Sequence, residues 1–151
     1  MSTRLFGLAV LAAFAAGFAA TADDKKEEKK FSAKCIIAGD QDAKQDKAAD
    51  YKGGKVYFCC DGCKGKFEKE PAKFAVKANA QLVSTGQAKQ VKCPIAGTPC
   101  KEDKFTTVAG VKVHFCCDGC KGKVEKAEGD AKAALVFSDD AFKKGFEVPK
   151  K

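Results

Sequence analysis

Apolar, β-prone runs broken by glycine alternate along this chain with lysine-rich stretches, and the whole order occurs twice. Ala49-Asp50-Tyr51 and Lys55-Val56-Tyr57-Phe58 flank Gly53-Gly54. Phe105 to Val108 and Val111 to Phe115 flank Ala109-Gly110 in the same way. Glycine in a short loop between two such runs admits positive φ and predicts a β-hairpin in each half. A lysine-rich segment follows each hairpin and is expected to be helical. Asp61 and Asp118 stand at its start, where an acid favours the helix N-terminus. Pro71 fits a first helical position and predicts that the first helix restarts there, with Phe67 and Phe74 on one face. Gly129 marks the corresponding break in the second half. The short apolar stretches Gln81-Leu82-Val83 and Ala134-Leu135-Val136-Phe137 are expected to add strands. Ser138-Asp139-Asp140 predicts a last helix ending at Gly145. The fold expected is α+β, built as two tandem small units over residues 32–88 and 89–151, each a cysteine loop, a β-hairpin and a helix.

The N-terminal segment is set apart by pattern. Arg4 precedes an uncharged run from Leu5 to Ala20, and Ala20-Thr21-Ala22 has the small-x-small form of a cleavage site. Residues 1–22 therefore read as a secretory signal peptide. The run is short and Ala-rich for a bilayer span, so no membrane anchor is expected after cleavage. Residues 23–31 form a charged linker whose signs nearly cancel. Export to the periplasm or beyond the cell follows as an expectation. The chain is basic, with a net charge of +8, but every basic residue beyond Arg4 is lysine. Nucleic-acid readers rely on arginine forks, and these lysines are interspersed with acids as on a solvated surface, so no nucleic-acid partner is expected.

Cysteine changes the picture most. Cys59-Cys60-Asp61-Gly62-Cys63-Lys64-Gly65-Lys66 recurs as Cys116-Cys117-Asp118-Gly119-Cys120-Lys121-Gly122-Lys123, and a lone Cys35 or Cys93 opens each unit. Packing alone does not require thiols at repeated spacing, so the chain is repeating a site. Cys59 and Cys116 end a strand, whereas Cys63 and Cys120 lie in the first turn of a helix, where unpaired N–H groups stabilise thiolates. The hairpin folds the opening loop back toward the same point. The candidate ligands are Cys35, Cys59, Cys60 and Cys63 in one unit and Cys93, Cys116, Cys117 and Cys120 in the other. Sulfur-only sets suit zinc or copper(I), and the partner expected is a soft metal ion. With no methionine beyond Met1 and one histidine, His114, nitrogen-rich or thioether copper sites are not available. Cys100 has no counterpart in the first unit. Two alternatives stand beside metal. Exported cysteine-rich chains commonly form disulfides, which would make this a stapled interaction module. A thiol oxidoreductase is the third, although Cys60-Asp61-Gly62-Cys63 follows a hairpin and not a βαβ unit. No catalytic grouping of side chains is visible, and an enzyme is not expected.

Two segments carry a resemblance: Tyr51-Lys-Gly-Gly-Lys-Val-Tyr-Phe-Cys59-Cys-Asp-Gly-Cys63-Lys-Gly-Lys-Phe67 with Glu70-Pro-Ala-Lys-Phe74, and Cys93-Pro-Ile-Ala-Gly97 with Gly110-Val-Lys-Val-His-Phe-Cys116-Cys-Asp-Gly-Cys120-Lys. Both resemble the YHS domain of the TRASH-like superfamily. The resemblance implies a small treble-clef-like metal-binding fold and a role in heavy-metal handling or sensing. It implies that Cys59, Cys63, Cys116 and Cys120 are the motif thiols. The opening cysteines stand three residues earlier than in one common form of the pattern, and Val124 replaces the aromatic found at Phe67. His114 occupies the place of Tyr57 and is expected to face away from the thiols. The loops of Cys35 and Cys93 are expected on the open side of each unit.

Overall fold

The computed structural model describes residues 31–149. The expected signal peptide and all of the charged linker except Phe31 lie outside the described residues. The fold is α+β, with two hairpin-and-helix units in tandem. In the first, β1 (Lys44–Tyr51) pairs antiparallel with β2 (Gly54–Phe58), followed by α1 (Asp61–Lys69), a 3-10 turn over Pro71–Phe74 and α2 (Ala75–Ser84). In the second, after a two-residue strand β3 (Lys89–Gln90), β4 (Lys101–Val108) pairs antiparallel with β5 (Val111–Phe115). Helices α3 (Asp118–Glu125), α4 (Gly129–Phe137) and α5 (Asp139–Gly145) follow, and β6 (Phe146–Glu147) returns to pair with β3.

The hairpins are near copies. Lys52 and Gly53 have φ of 49° and 83°, and Ala109 and Gly110 have 49° and 77°. Two successive positive φ values define the turn whose twist matches the flanking strands, and glycine at the second place lowers its cost. The first turn is centred on Lys52-Gly53, one residue before the expected Gly53-Gly54. Both hairpins shift register at the same place, between Lys44 and Ala48 and between Lys101 and Phe105. From the bulge, Lys47 reaches Asp61 and Lys104 reaches Asp118, each at 3.0 Å. Val56 and Phe58 point inward and are fully buried, as are Val113 and Phe115. Phe67 packs tilted on Phe58 at 5.4 Å, and Phe74 joins the same core. Val124, fully buried, takes the place of Phe67 in the second unit, where Phe137, Phe142 and Phe146 fill the larger core.

The two expected extra strands are helices. Gln81-Leu82-Val83 belongs to α2, and Ala134 to Phe137 belongs to α4. A run of three or four apolar residues fits either period, and here the alanines upstream extend a helical face. That face joins the units: α2 packs on α4 and α5, and Leu82 and Ala88 enter the second core. Asn79, fully buried, donates to the Phe137 carbonyl at 2.8 Å and to Asp139 at 3.0 Å, and accepts from Lys52 at 3.1 Å. Tight packing also fixes the end of α5. A Cβ on Gly145 would stand 2.8 Å from the Pro94 Cα, and the Gly145 carbonyl accepts the N–H groups of Val91 and Lys92. The segment leading into Cys93 is thereby fastened to α5.

Candidate metal centres

Each unit gathers three sulfurs by the same local means. β2 ends at Phe58, Cys59 follows in a bend, and Cys60, extended with φ −155°, caps α1 so that Cys63 falls in its first turn. The opening loop closes on itself through bonds from Gly39 N–H to the Cys35 carbonyl and from Cys35 N–H to the Gln41 carbonyl. The result places the Sγ atoms of Cys35, Cys59 and Cys63 all within 4.8 Å of one another. Cys93, Cys116 and Cys120 form the same triad in the second unit. Cys59 and Cys63 sulfurs are 3.6 Å apart, and Cys116 and Cys120 sulfurs 3.7 Å. A disulfide needs about 2.05 Å, whereas two sulfurs on a tetrahedral zinc with bonds of about 2.3 Å stand about 3.8 Å apart. All nine cysteines are free thiols. The donor sets fit a thiophilic ion.

The depth of each thiol departs from expectation. Cys35 and Cys93 are the buried members, at 1% and 0% exposure, although their loops reach solvent at Ala38 to Gln41 and at Ala96 and Thr98. Ile36 inserts into the first core beside Val56 and Phe58, which draws the loop inward. The exposed sulfurs are Cys60 and Cys117, each 3.8 Å from the sulfur of its neighbour, Cys59 or Cys116, and outside the triads. Of the eight candidate thiols, the fold therefore brings six together in two triads and sets two beside them. Cys100 is near the second triad but not part of it, its thiol directed at the His114 carbonyl at 3.3 Å. The His114 ring packs on Phe105 with centroids 5.7 Å apart and belongs to neither triad.

Charge is unevenly distributed over the thiols. Burial pushes Cys35 up, but N–H groups of Ala38, Cys59 and Ile37, with the Cys59 thiol, outweigh it and hold Cys35 below the ordinary thiol value. Cys93 is lowered by the same balance, burial against the amides of Ala96, Cys116 and Ile95. Cys63 is pushed up to about 12, first by burial and then by the neighbouring thiols. Cys120 is raised likewise. Cys59 is raised because it donates to Cys35. Cys60 is lowered, chiefly by the Cys63 N–H at the helix start. Like charges this close cannot all ionise, so each cluster keeps its inner sulfur as the preferred thiolate. Cys100 is raised by burial and by nearby Cys93 and Cys116.

Glutamines that the sequence did not single out hold the scaffold. Gln81 accepts the Tyr57 N–H at 2.7 Å and donates to the Tyr57 carbonyl at 3.0 Å and the Lys34 carbonyl at 2.8 Å. One buried side chain thus ties the residue before Cys35 to the strand that leads into Cys59. Gln87 does the same for both backbone groups of Lys55, and Gln90 for those of His114. Each amide substitutes for a third strand at a hairpin edge, satisfying groups that would otherwise be unpaired. No sequence signal marks them, because a lone glutamine among alanines reads as a solvated helix position.

Comparison with known families meets this geometry in the first unit. Residues 42–78 match the YHS domain model. The matched segment runs from the end of the opening loop through the hairpin and α1 into α2, and contains Cys59, Cys60 and Cys63. Cys35 lies outside it. The family match does not extend to the second unit, whose likeness to the first rests on the repeated sequence and the repeated triad. No curated protein and no solved structure was matched.

Proposed function

We propose that this chain is an exported metal-binding protein that handles or senses a thiophilic heavy-metal ion, zinc or copper(I), with one ion per unit. The observation that carries this reading is the duplicated triad. Two sets of three sulfurs, each with one buried member, stand at metal-ligand spacing. The YHS match over residues 42–78 supports it. In each unit Cys35 or Cys93 would anchor the ion from inside, while Cys59 and Cys63, or Cys116 and Cys120, would complete the set from the strand end and helix start. Three sulfurs satisfy a trigonal copper(I), and the same three leave a fourth position open on zinc. The second unit is proposed as a further YHS-like repeat.

Export rests on the Leu5 to Ala20 run and the Ala20-Thr21-Ala22 site. No helix among the described residues is long and apolar enough to cross a membrane. The reading is of a binder and not an enzyme, since His114 is the sole histidine and belongs to neither triad. Anaerobic purification of the full processed chain, with elemental analysis and thiol counting on one sample, tests the reading. About two soft ions per chain, with thiols titratable only after their removal, are expected. Oxidised cysteines and no ion in fresh protein would replace it with a disulfide-stapled module.

A further inference from the structure

We propose that Cys60 and Cys117 are the exchange ligands of the two sites: exposed sulfurs through which a soft ion enters and leaves by thiolate exchange. This rests on the metal-binding reading above. The triads have a direction. Their inner sulfurs, Cys35 and Cys93, belong to the buried cores at 1% and 0% exposure and offer an incoming ligand almost no surface. At the other end, Cys60 and Cys117 are exposed yet lie 3.8 Å from the sulfurs of Cys59 and Cys116. That is the spacing of two ligands on one ion, about 3.8 Å for zinc. The approach is also bare. Gly62 and Gly119 follow one residue beyond Asp61 and Asp118, and a Cβ there would stand 3.9 and 3.8 Å from the exposed sulfurs. Any side chain at either place would begin to cover the thiol. The arrangement is repeated in both units, although nothing in core packing requires an exposed thiol beside a buried set.

The exchange is a substitution of ligands without change of oxidation state. As the Cys60 sulfur bonds the incoming ion, it releases its proton to solvent and one bond from the ion to the donor's thiolate breaks. Cys59 and Cys63 then bind in turn, each releasing its proton to solvent as a remaining bond from the ion to the donor breaks, and Cys35 completes the set while Cys60 lets go and recovers a proton. Release runs the same steps in reverse toward an acceptor thiolate or chelator. Holding the ion requires the triad, whereas moving it requires the fourth sulfur. Stoichiometry and exchange rate should therefore separate.

The test uses the full processed chain loaded anaerobically with Cd²⁺, whose thiolate charge-transfer absorption reports bound sulfur. Excess aminopolycarboxylate chelator is added and the loss of absorption is followed in time. The double variant Cys60→Ser, Cys117→Ser places serine, a good helix cap, at two exposed positions and so should fold. It is expected to keep two ions per chain but to lose them slower by about tenfold or more. An unchanged rate with two ions bound overturns the exchange role alone. A drop in stoichiometry makes these thiols resident ligands and overturns it as well. A wild-type chain that takes up no Cd²⁺ overturns the metal reading, and this one with it.

Discussion

Cys120 and Cys100 are both half-buried thiols in the second unit, yet only Cys120 belongs to a triad. Cys120→Ser should abolish ion binding in its own unit and leave the first unchanged. Cys100→Ser should spare both sites, because its thiol is engaged with the His114 carbonyl and the Gln90 amide. Ion counts on the two variants check this, and a large loss with Cys100→Ser would mean that the second site extends beyond its triad. The thiol pKa values set a pH dependence. Cys63, at about 12, and Cys59, raised by donation to Cys35, are protonated at neutral pH and must lose protons when an ion binds. Raising the pH removes that competition, so apparent affinity should climb between about pH 6 and 9, with about two protons released per ion from these sulfurs. Isothermal titration of the Cys120→Ser variant, in buffers of different ionisation enthalpy, measures the release at the first site directly. Affinity independent of pH would show that the thiols are already ionised in the free chain.

Secondary-structure elements position these thiols through contacts that are partly written in local sequence and partly not. Gln81 of α2 bridges the Lys34 carbonyl and both backbone groups of Tyr57, so it aligns the Cys35 loop with the strand that delivers Cys59. Gln81→Ala leaves buried groups unpaired, at a cost of about 1–3 kcal/mol. It should weaken ion binding in the first unit while the second, braced by Gln90, keeps its affinity. Equal weakening in both units would show a loss of overall stability and not of alignment; Gln81→Glu, which keeps one acceptor, should recover only part. The hairpins were legible because glycine at a tight turn has a local cause, and the helix starts because acids and Pro71 act within one turn. The repeat made the thiol clusters legible without any structure. What the local pattern could not convey was tertiary. Gln81-Leu82-Val83 suits a strand or a helix until α4 is there to pack against it. The burial of Cys35 was hidden because nothing in its loop shows that Ile36 inserts among Val56 and Phe58. The bracing glutamines were invisible for the same reason: their partners are backbone groups remote in sequence.

At the scale of the whole molecule, the central question is whether metal builds the fold or visits it. Units of about 60 residues are marginal alone, which would favour an ion as a folding requirement. Here they are not alone. Leu82 and Ala88 of the first unit sit in the core of the second, with Val113, Phe115 and Phe137. Burial of a side chain the size of Leu82 contributes about 1.5–3 kcal/mol, and Ala88 less. The seam also holds the Asn79 network, which links Lys52, the Phe137 carbonyl and Asp139. Two consequences follow. Asn79→Ala leaves the Phe137 carbonyl without its buried donor and should lower unfolding free energy by about 1–3 kcal/mol, splitting a single denaturant transition toward two. A transition that stays single with an unchanged midpoint would show that the seam does not couple the units. The metal-free chain, in turn, should keep its fold, because the shared core is built mainly of aliphatic and aromatic side chains, with Cys93 the one triad sulfur buried in it. Stripping the ion should leave the helical circular dichroism in place and lower the melting temperature only by what binding contributed. Rebinding should be immediate and complete, as a site that exchanges its ion requires. Collapse of the helical signal on chelation would make the sulfurs structural staples, and the proposed handling role would fail with it.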